Sequence, residues 1–207
     1  RNSVFAVILA CVLCLITGCT STSNVPPPTI EPTPVVTVQP TESPTETPVS
    51  ELTVHFIDVG QADAAVLQCG DDTMMIDGGN VADSSLIVAY LKKLNIDNID
   101  YMVCTHAHED HVGGLSAPLS VMPVSAVYAP SAEADSKAYQ NFKRKAADQN
   151  TEIMHPENYE SFPFGSARVE ILACHDNADN LNNTSIILKV THKNKSFLFT
   201  GDAEREE

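Results

Sequence analysis

Three histidines and two acids crowd into six residues, His106-Ala107-His108-Glu109-Asp110-His111, and a Gly-Gly pair follows at 113–114. Imidazole and carboxylate are side chains that hold divalent cations. His106 and His108 stand two apart, so in extended chain both project to one side. Asp110 and His111 come where the backbone must turn, and they can reach the same point from another direction. Four potential ligands are more than one open zinc uses, and the number points to two metals. A solvated histidine-rich loop is the plainer alternative. The order of the ligands, directly behind an apolar run and ahead of Gly-Gly, weighs against it.

That apolar run, Tyr101-Met102-Val103-Cys104, reads as the buried strand that delivers the ligands. Cys104 reads there as a small buried residue rather than a nucleophile. Upstream, residues 52–59 and 63–68 have strand character, and Gly70-Asp71-Asp72 turns the chain into a third strand over 73–76, which stops at Asp77-Gly78-Gly79. Asp83 or Ser84 can cap a helix whose inward face is Leu86, Ile87, Tyr90, Leu91 and Leu94. Downstream, strands are expected at 126–129, 152–155 and 168–173. A helix is expected over 136–149 with Tyr139, Phe142 and Ala146 inside, and a turn at 162–165. A hairpin over 185–191 and 196–200 ends at Gly201-Asp202. This alternation is α/β, with sheets packed on each other and helices outside.

Charge narrows the function. The 207 residues carry a formal net charge of −15, and residues 51–207 hold 11 basic against 24 acidic side chains. Such a surface does not grip nucleic acid by electrostatics, so DNA association away from the site should be weak and insensitive to salt. Cys69, Cys104 and Cys174 form no close pair in sequence, and no disulfide framework is implied.

The first fifty residues are different material. An apolar run from Phe5 to Thr17 follows Arg1; it is short for a membrane span and suits a signal-peptide core. It ends in Ile16-Thr17-Gly18-Cys19, which resembles the lipobox of bacterial lipoproteins. That resemblance implies a signal peptide over 1–19, lipid attachment at Cys19, and anchoring to the outer face of a bacterial cell membrane. A plain secretory signal or a short membrane anchor are the alternatives. Residues 20–50, rich in Pro, Thr and Ser, read as a disordered, extended tether, and the folded domain as 51–207.

Five segments in register carry a broader resemblance. They are Phe56-Ile57-Asp58-Val59-Gly60-Gln61, Met75-Ile76-Asp77-Gly78-Gly79, Thr105 to Gly114, Asn182-Asn183-Thr184-Ser185 and Phe199-Thr200-Gly201-Asp202. Together they resemble the metallo-β-lactamase superfamily, and within it the hydrolase domain of ComEC-type DNA-uptake proteins. The resemblance implies a four-layer αββα sandwich. It also implies a first metal held by His106 and His108, a second held by Asp110 and His111, and Asp202 bridging the two. Asp77 would orient a ligand histidine; Asp58, Asn183 and Ser185 are weaker supporting candidates.

Three departures accompany it. Asn182-Asn183-Thr184-Ser185 stands where many members have a further histidine; His175 could substitute for it, a surface histidine being its plainer reading. The family's last histidine, in a His-His-Gly-Ser segment beyond the bridging aspartate, does not occur before Glu207, so the sandwich is expected to be incomplete in this chain. Ala62 stands where the branch has glycine, so that turn must accept a Cβ.

The expected activity is metal-dependent hydrolysis of phosphodiesters, nuclease-like, with Asp110 orienting the nucleophile. Zinc is favoured by the histidines, with manganese as rival. The alternatives are a cell-envelope ester or lactam hydrolase and a degenerate hydrolase fold used for binding.

Overall fold

The computed structural model describes residues 49–175 and 180–204. The expected signal peptide with Cys19, and the tether apart from residues 49 and 50, lie outside the described residues. Among those residues no helix is long and apolar enough to cross a membrane.

Strands β1 (Leu52–Phe56), β2 (Ala64–Cys69) and β3 (Asp72–Gly78) form an antiparallel meander. Strands β4 (Ile99–Val103), β5 (Val124–Tyr128) and β6 (Ile153–Met154) then add in parallel to β3, in sequence order. Parallel neighbours need crossovers, and helices supply them. Helix α1 (Ser84–Lys93) joins β3 to β4; α2 (Glu109–Val112) and α3 (Pro118–Val121) lie between β4 and β5; α4 (Lys137–Asp148) joins β5 to β6. A second, four-stranded antiparallel sheet follows from β7 (Ser161–Phe164), β8 (Ala167–Ala173), β9 (Ile187–His192) and β10 (Lys195–Phe199).

Two apolar cores explain why the central strands are hydrophobic without alternation. Val66, Met75 and Met102 point to the helices, against Ile87, Leu91 and Phe142. Their chain neighbours Leu67, Met74, Ile76 and Val103 point to the other sheet, against Phe164, Val169, Leu188 and Val190. The order helices, sheet, sheet gives three of the four expected layers within the described residues.

Several local expectations shift. The first strand ends at Phe56, and Ile57–Val59 leave it as a loop while Ile57 N–H still donates to Ala64 O at 3.0 Å. Leu86 is 43% exposed instead of inward, because α1 starts at Ser84 and turns only the Ile87–Leu91 row fully onto the sheet. Residues 161–164 are strand β7 rather than a turn. Pro163 is tolerated because β7 is the edge of its sheet, where a missing N–H costs no ladder bond. Helix α4 begins as expected, with Ser136 Oγ accepting from Tyr139 N–H at 3.2 Å, and its Tyr139, Phe142 and Ala146 are buried.

Candidate metal centre

Loops leaving the C-terminal ends of parallel strands gather at one edge of a sheet. Here the ends of β3 and β4 place Asp77 and the 105–111 segment side by side. Asp77 takes a left-handed backbone, φ 55°, which aspartate tolerates better than most residues. Its buried carboxylate accepts from Thr105 N–H at 2.8 Å, Thr105 Oγ1 at 2.7 Å and His111 Nδ1 at 2.9 Å. These three bonds compensate a buried charge that would otherwise be costly.

The same bonds decide which ring nitrogens are free. Thr105 Oγ1 spends its hydrogen on Asp77, so toward His106 Nδ1, 3.2 Å away, it can only accept. His106 therefore carries its proton on Nδ1 and presents the lone pair of Nε2, which meets His108 Nδ1 at 3.1 Å. His111 is likewise held by Nδ1 and turns Nε2 to Asp202 Oδ1 at 3.3 Å. Each ring is fixed through one nitrogen and offers the other, the usual preparation of an imidazole ligand.

The histidines sit at the end of β4 because the chain turns immediately there. His108 precedes the single turn of α2, which carries Asp110 and His111. That turn lies close on the β3 exit. A Cβ on Gly114 would meet Gly78 O at 2.0 Å, which is why Gly-Gly follows the ligands. Asp202 arrives from the other sheet, just past β10. Its N–H donates to Ser185 Oγ at 3.2 Å, and Ser185 Oγ also lies 3.4 Å from His106 Nδ1. Asn183 Oδ1 accepts from Glu204 N–H at 3.2 Å and so steadies the segment that carries Asp202.

Candidate ligand atoms of His106, His111 and Asp202 all lie within 4.8 Å of one another. His106 and His111 are buried, whereas the Asp202 side chain is 42% exposed and marks the open side. His108 touches His106, but neither it nor Asp110 belongs to either group of converging ligand atoms among the described residues. The Asp110 carboxylate is held by Gln61 Nε2 at 2.9 Å. A cleft of about 230 Å³ borders the centre between Phe56, Ile76, Leu198 and Phe199, with Asp63 and Asp77 in its wall.

Electrostatics divides the two inner histidines. Burial first, then the neighbouring His111, brings His106 down to about 4. Burial also pulls His111 down, but the hydrogen bond and charge of Asp77, with Asp202 and Asp110, lift it to about 9. Cys104 is fully buried, its thiol donates to His106 O at 3.0 Å, and burial pushes its pKa well up, as befits a packing residue.

His175 is a surface histidine, Asp58 makes a local loop contact, and one residue near the centre was missed. Asp58 is exposed; its Oδ1 accepts from Gly60 N–H at 3.2 Å and shapes the β1–β2 loop. His175 is exposed and belongs to neither cluster of candidate ligands. Asp63 was missed: its carboxylate lies within 4.8 Å of ligand atoms of Asp77 and His111. Desolvation, and then the charges of Asp77, Asp202 and Asp110 against the opposing His111, raise its pKa. Its only sequence signal was an acid two residues after Gln61. Ala62 keeps an ordinary backbone, and the positive φ of that loop falls on Gly60 at 71°, so the extra Cβ is accommodated.

Comparison with known proteins agrees with this architecture. The model of the metallo-beta-lactamase superfamily matches residues 57–207. Among solved structures, the metallo-β-lactamase SMB-1 bound to 2-mercaptoethanesulfonate is 19% identical with a TM-score of 0.52, covering 70% of this chain and 60% of its own. A metallo-β-lactamase with a HARLDQ motif from Cronobacter sakazakii is 17% identical with a TM-score of 0.50, covering 71% and 58%. The metallo-β-lactamase fold protein YhfI from Bacillus subtilis is 16% identical with a TM-score of 0.50, covering 72% and 62%. The chain thus spans about three fifths of the length of these structures. No curated protein matches it. With a matching family model over most of its length, this chain belongs to the metallo-β-lactamase superfamily. It has that superfamily's α/β fold and carries candidate metal-binding groups of histidine and aspartate.

Proposed function

We propose that this chain is a metal-dependent hydrolase with two divalent ions, exported and held at the outer face of a bacterial membrane by a lipid on Cys19, and acting on phosphodiesters. The observation that carries the hydrolase proposal is the convergence of His106, His111 and Asp202 from both sheets to within 4.8 Å.

The donor set fits such ions: Nε2 of His106 is open, Nε2 of His111 becomes so on giving up its proton, and His108 Nδ1 and Asp202 Oδ1 lie against them. His106 and His108 would hold one ion, Asp110 and His111 the other, with Asp202 between them. Zinc suits the imidazoles and manganese the carboxylates. Bound there, the ions would supply Lewis acidity and a water-derived nucleophile near neutral pH. The chain does the rest. Asp77 keeps His111 in the Nδ1–H form, Thr105 does the same for His106, and Asp110 orients the attacking water. Phosphodiester chemistry rests on the likeness of Asp58 to Gln61 and Asn182 to Ser185 to the ComEC-type branch. The acidic domain favours recognition at the centre over a basic track for long DNA.

The test is metal content of the purified full chain together with turnover of a chromogenic phosphodiester, a carboxylic ester and a lactam. Two equivalents of metal are expected, with phosphodiester turnover that Asp110→Ala reduces at least about 100-fold. Absence of bound metal would remove the hydrolase proposal. Turnover confined to esters or lactams would remove the phosphodiester proposal alone. Cys19→Ser should move the protein from the membrane fraction to the medium; unchanged membrane association would reject the lipid anchor.

A further inference from the structure

We infer that Gln61, on the loop between β1 and β2, is a positioning residue for the Asp110 half of the metal centre. It reaches across 49 residues of chain to put Nε2 2.9 Å from Asp110 Oδ2. The amide orientation is fixed by chemistry, since an ionised carboxylate only accepts and must be met by the NH₂ group.

Backbone bonds hold the loop in register with its target. Asp63 N–H donates to Asp110 O at 3.2 Å, and Gly79 N–H donates to Asp63 O at 2.8 Å. The loop is therefore docked on both segments that carry the centre, the exit of β3 and the turn of α2. Two residues from that anchor, the exposed Gln61 side chain is carried to within hydrogen-bond reach of Asp110. The consequence for Asp110 is asymmetric. Oδ2 is engaged by the amide, while Oδ1 has no hydrogen-bond partner among the described residues. A lone carboxylate on a half-exposed turn rotates freely about its last torsion. With one oxygen tied, the other is presented in a single direction. Outer contacts of this kind change metal affinity by about 10- to 100-fold. Asp77 does this for His111 and Thr105 for His106; Gln61 is the counterpart for Asp110.

This inference rests on the proposal that Asp110 binds metal, and the experiment separates the two. Cobalt(II) is titrated into the metal-free full chain, followed by visible absorption and calorimetry, for wild type, Gln61→Ala and Gln61→Met. Met keeps the length and bulk of Gln but donates no hydrogen bond. Both variants should bind the first equivalent as wild type does and the second about tenfold more weakly, with an altered visible band for that second equivalent. The unfolding midpoint of the metal-free chain should stay unchanged. If wild type binds two equivalents and Gln61→Met matches it, the contact is packing and the inference is overturned. If the variants lower the metal-free midpoint and lose both equivalents together, Gln61 is a structural residue and the inference is again overturned. If wild type binds no cobalt, the metal-centre proposal itself fails, and this inference with it.

Discussion

His111 Nδ1 stands 2.9 Å from Asp77 Oδ2, with both side chains 2% exposed, and this buried pair sets the protonation of the centre. Asp77 has no other way to balance its charge than the three donors it holds. Asp77→Asn should therefore bring the His111 imidazole of the metal-free chain down from about 9, because burial then meets only the more modest pull of Asp202 and Asp110. Histidine ring resonances followed by NMR over pH 4–10 would show it. A His111 titration unmoved by the substitution would mean that Asp202 and Asp110, not Asp77, hold the proton.

The pH dependence of the metal-free chain follows from the two inner histidines, with opposite signs. His111 is raised from 6.5 to about 9, so its stabilisation is complete below 6.5 and is lost as pH rises through 9. His106 is lowered from 6.5 to about 4, so the unfolded chain gains the proton first and stability falls as pH drops from 6.5 to 4. Together they place the contribution of the site at its maximum near pH 6.5. Denaturant midpoints measured from pH 4 to 10 should be highest there; a midpoint climbing steadily to pH 9 would contradict it. Metal uptake at pH 7 should release about one proton from His111, seen as a buffer-dependent heat in calorimetry.

Asp63 should show opposite effects on the metal-free and loaded chain. Burial first opposes the ionisation of its carboxyl, and the charges of Asp77, Asp202 and Asp110 add to it against the attraction of His111. Asp63→Asn relieves that repulsion and should leave the metal-free chain as stable or slightly more so. It also removes negative charge that cations would balance, and total metal affinity should fall about tenfold. Unaltered affinity would make Asp63 a bystander on the cleft wall.

Gly114 tests whether the turn of α2 must lie against the β3 exit. Ala at 114 would put Cβ 2.0 Å from Gly78 O, and backbone cannot yield there as a flexible side chain could. A loss of about 3 kcal/mol is expected in denaturant unfolding, at the upper end for overpacking. Wild-type stability in Gly114→Ala would show that the two loops can part without cost.

The centre was legible where chemistry is local. His106 and His111, which the structure brings together with Asp202, are expected from type and spacing because both hang on one strand end and one helical turn; His108 and Asp110 stay expectations. The apolar runs of β2 to β5 were legible for the same reason, because a strand buried on both faces cannot hide its composition. Pro163 misled because a proline marks a turn in sequence, whereas whether β7 lies at an edge is a property of the finished sheet. Leu86 misled because a helical stripe shows which residues share a face but not how far that face is rolled. Asp63 and Gln61 were invisible as neighbours of the centre for a deeper reason. Their approach depends on a loop docked by backbone bonds to Asp110 and Gly79, and backbone bonds have no side-chain signature.

Ser185 has a mechanical consequence. Its single oxygen touches His106, which hangs from the six-stranded sheet, and the backbone of Asp202, which hangs from the four-stranded one. The cluster is thus a gauge laid across a joint. Slippage of one sheet over the other by a fraction of an ångström changes the His106–Asp202 spacing directly, long before either sheet unravels. Substitutions deep between the sheets, at Leu67, Val169 or Leu188, far from any ligand, should therefore detune the centre in chains that remain folded.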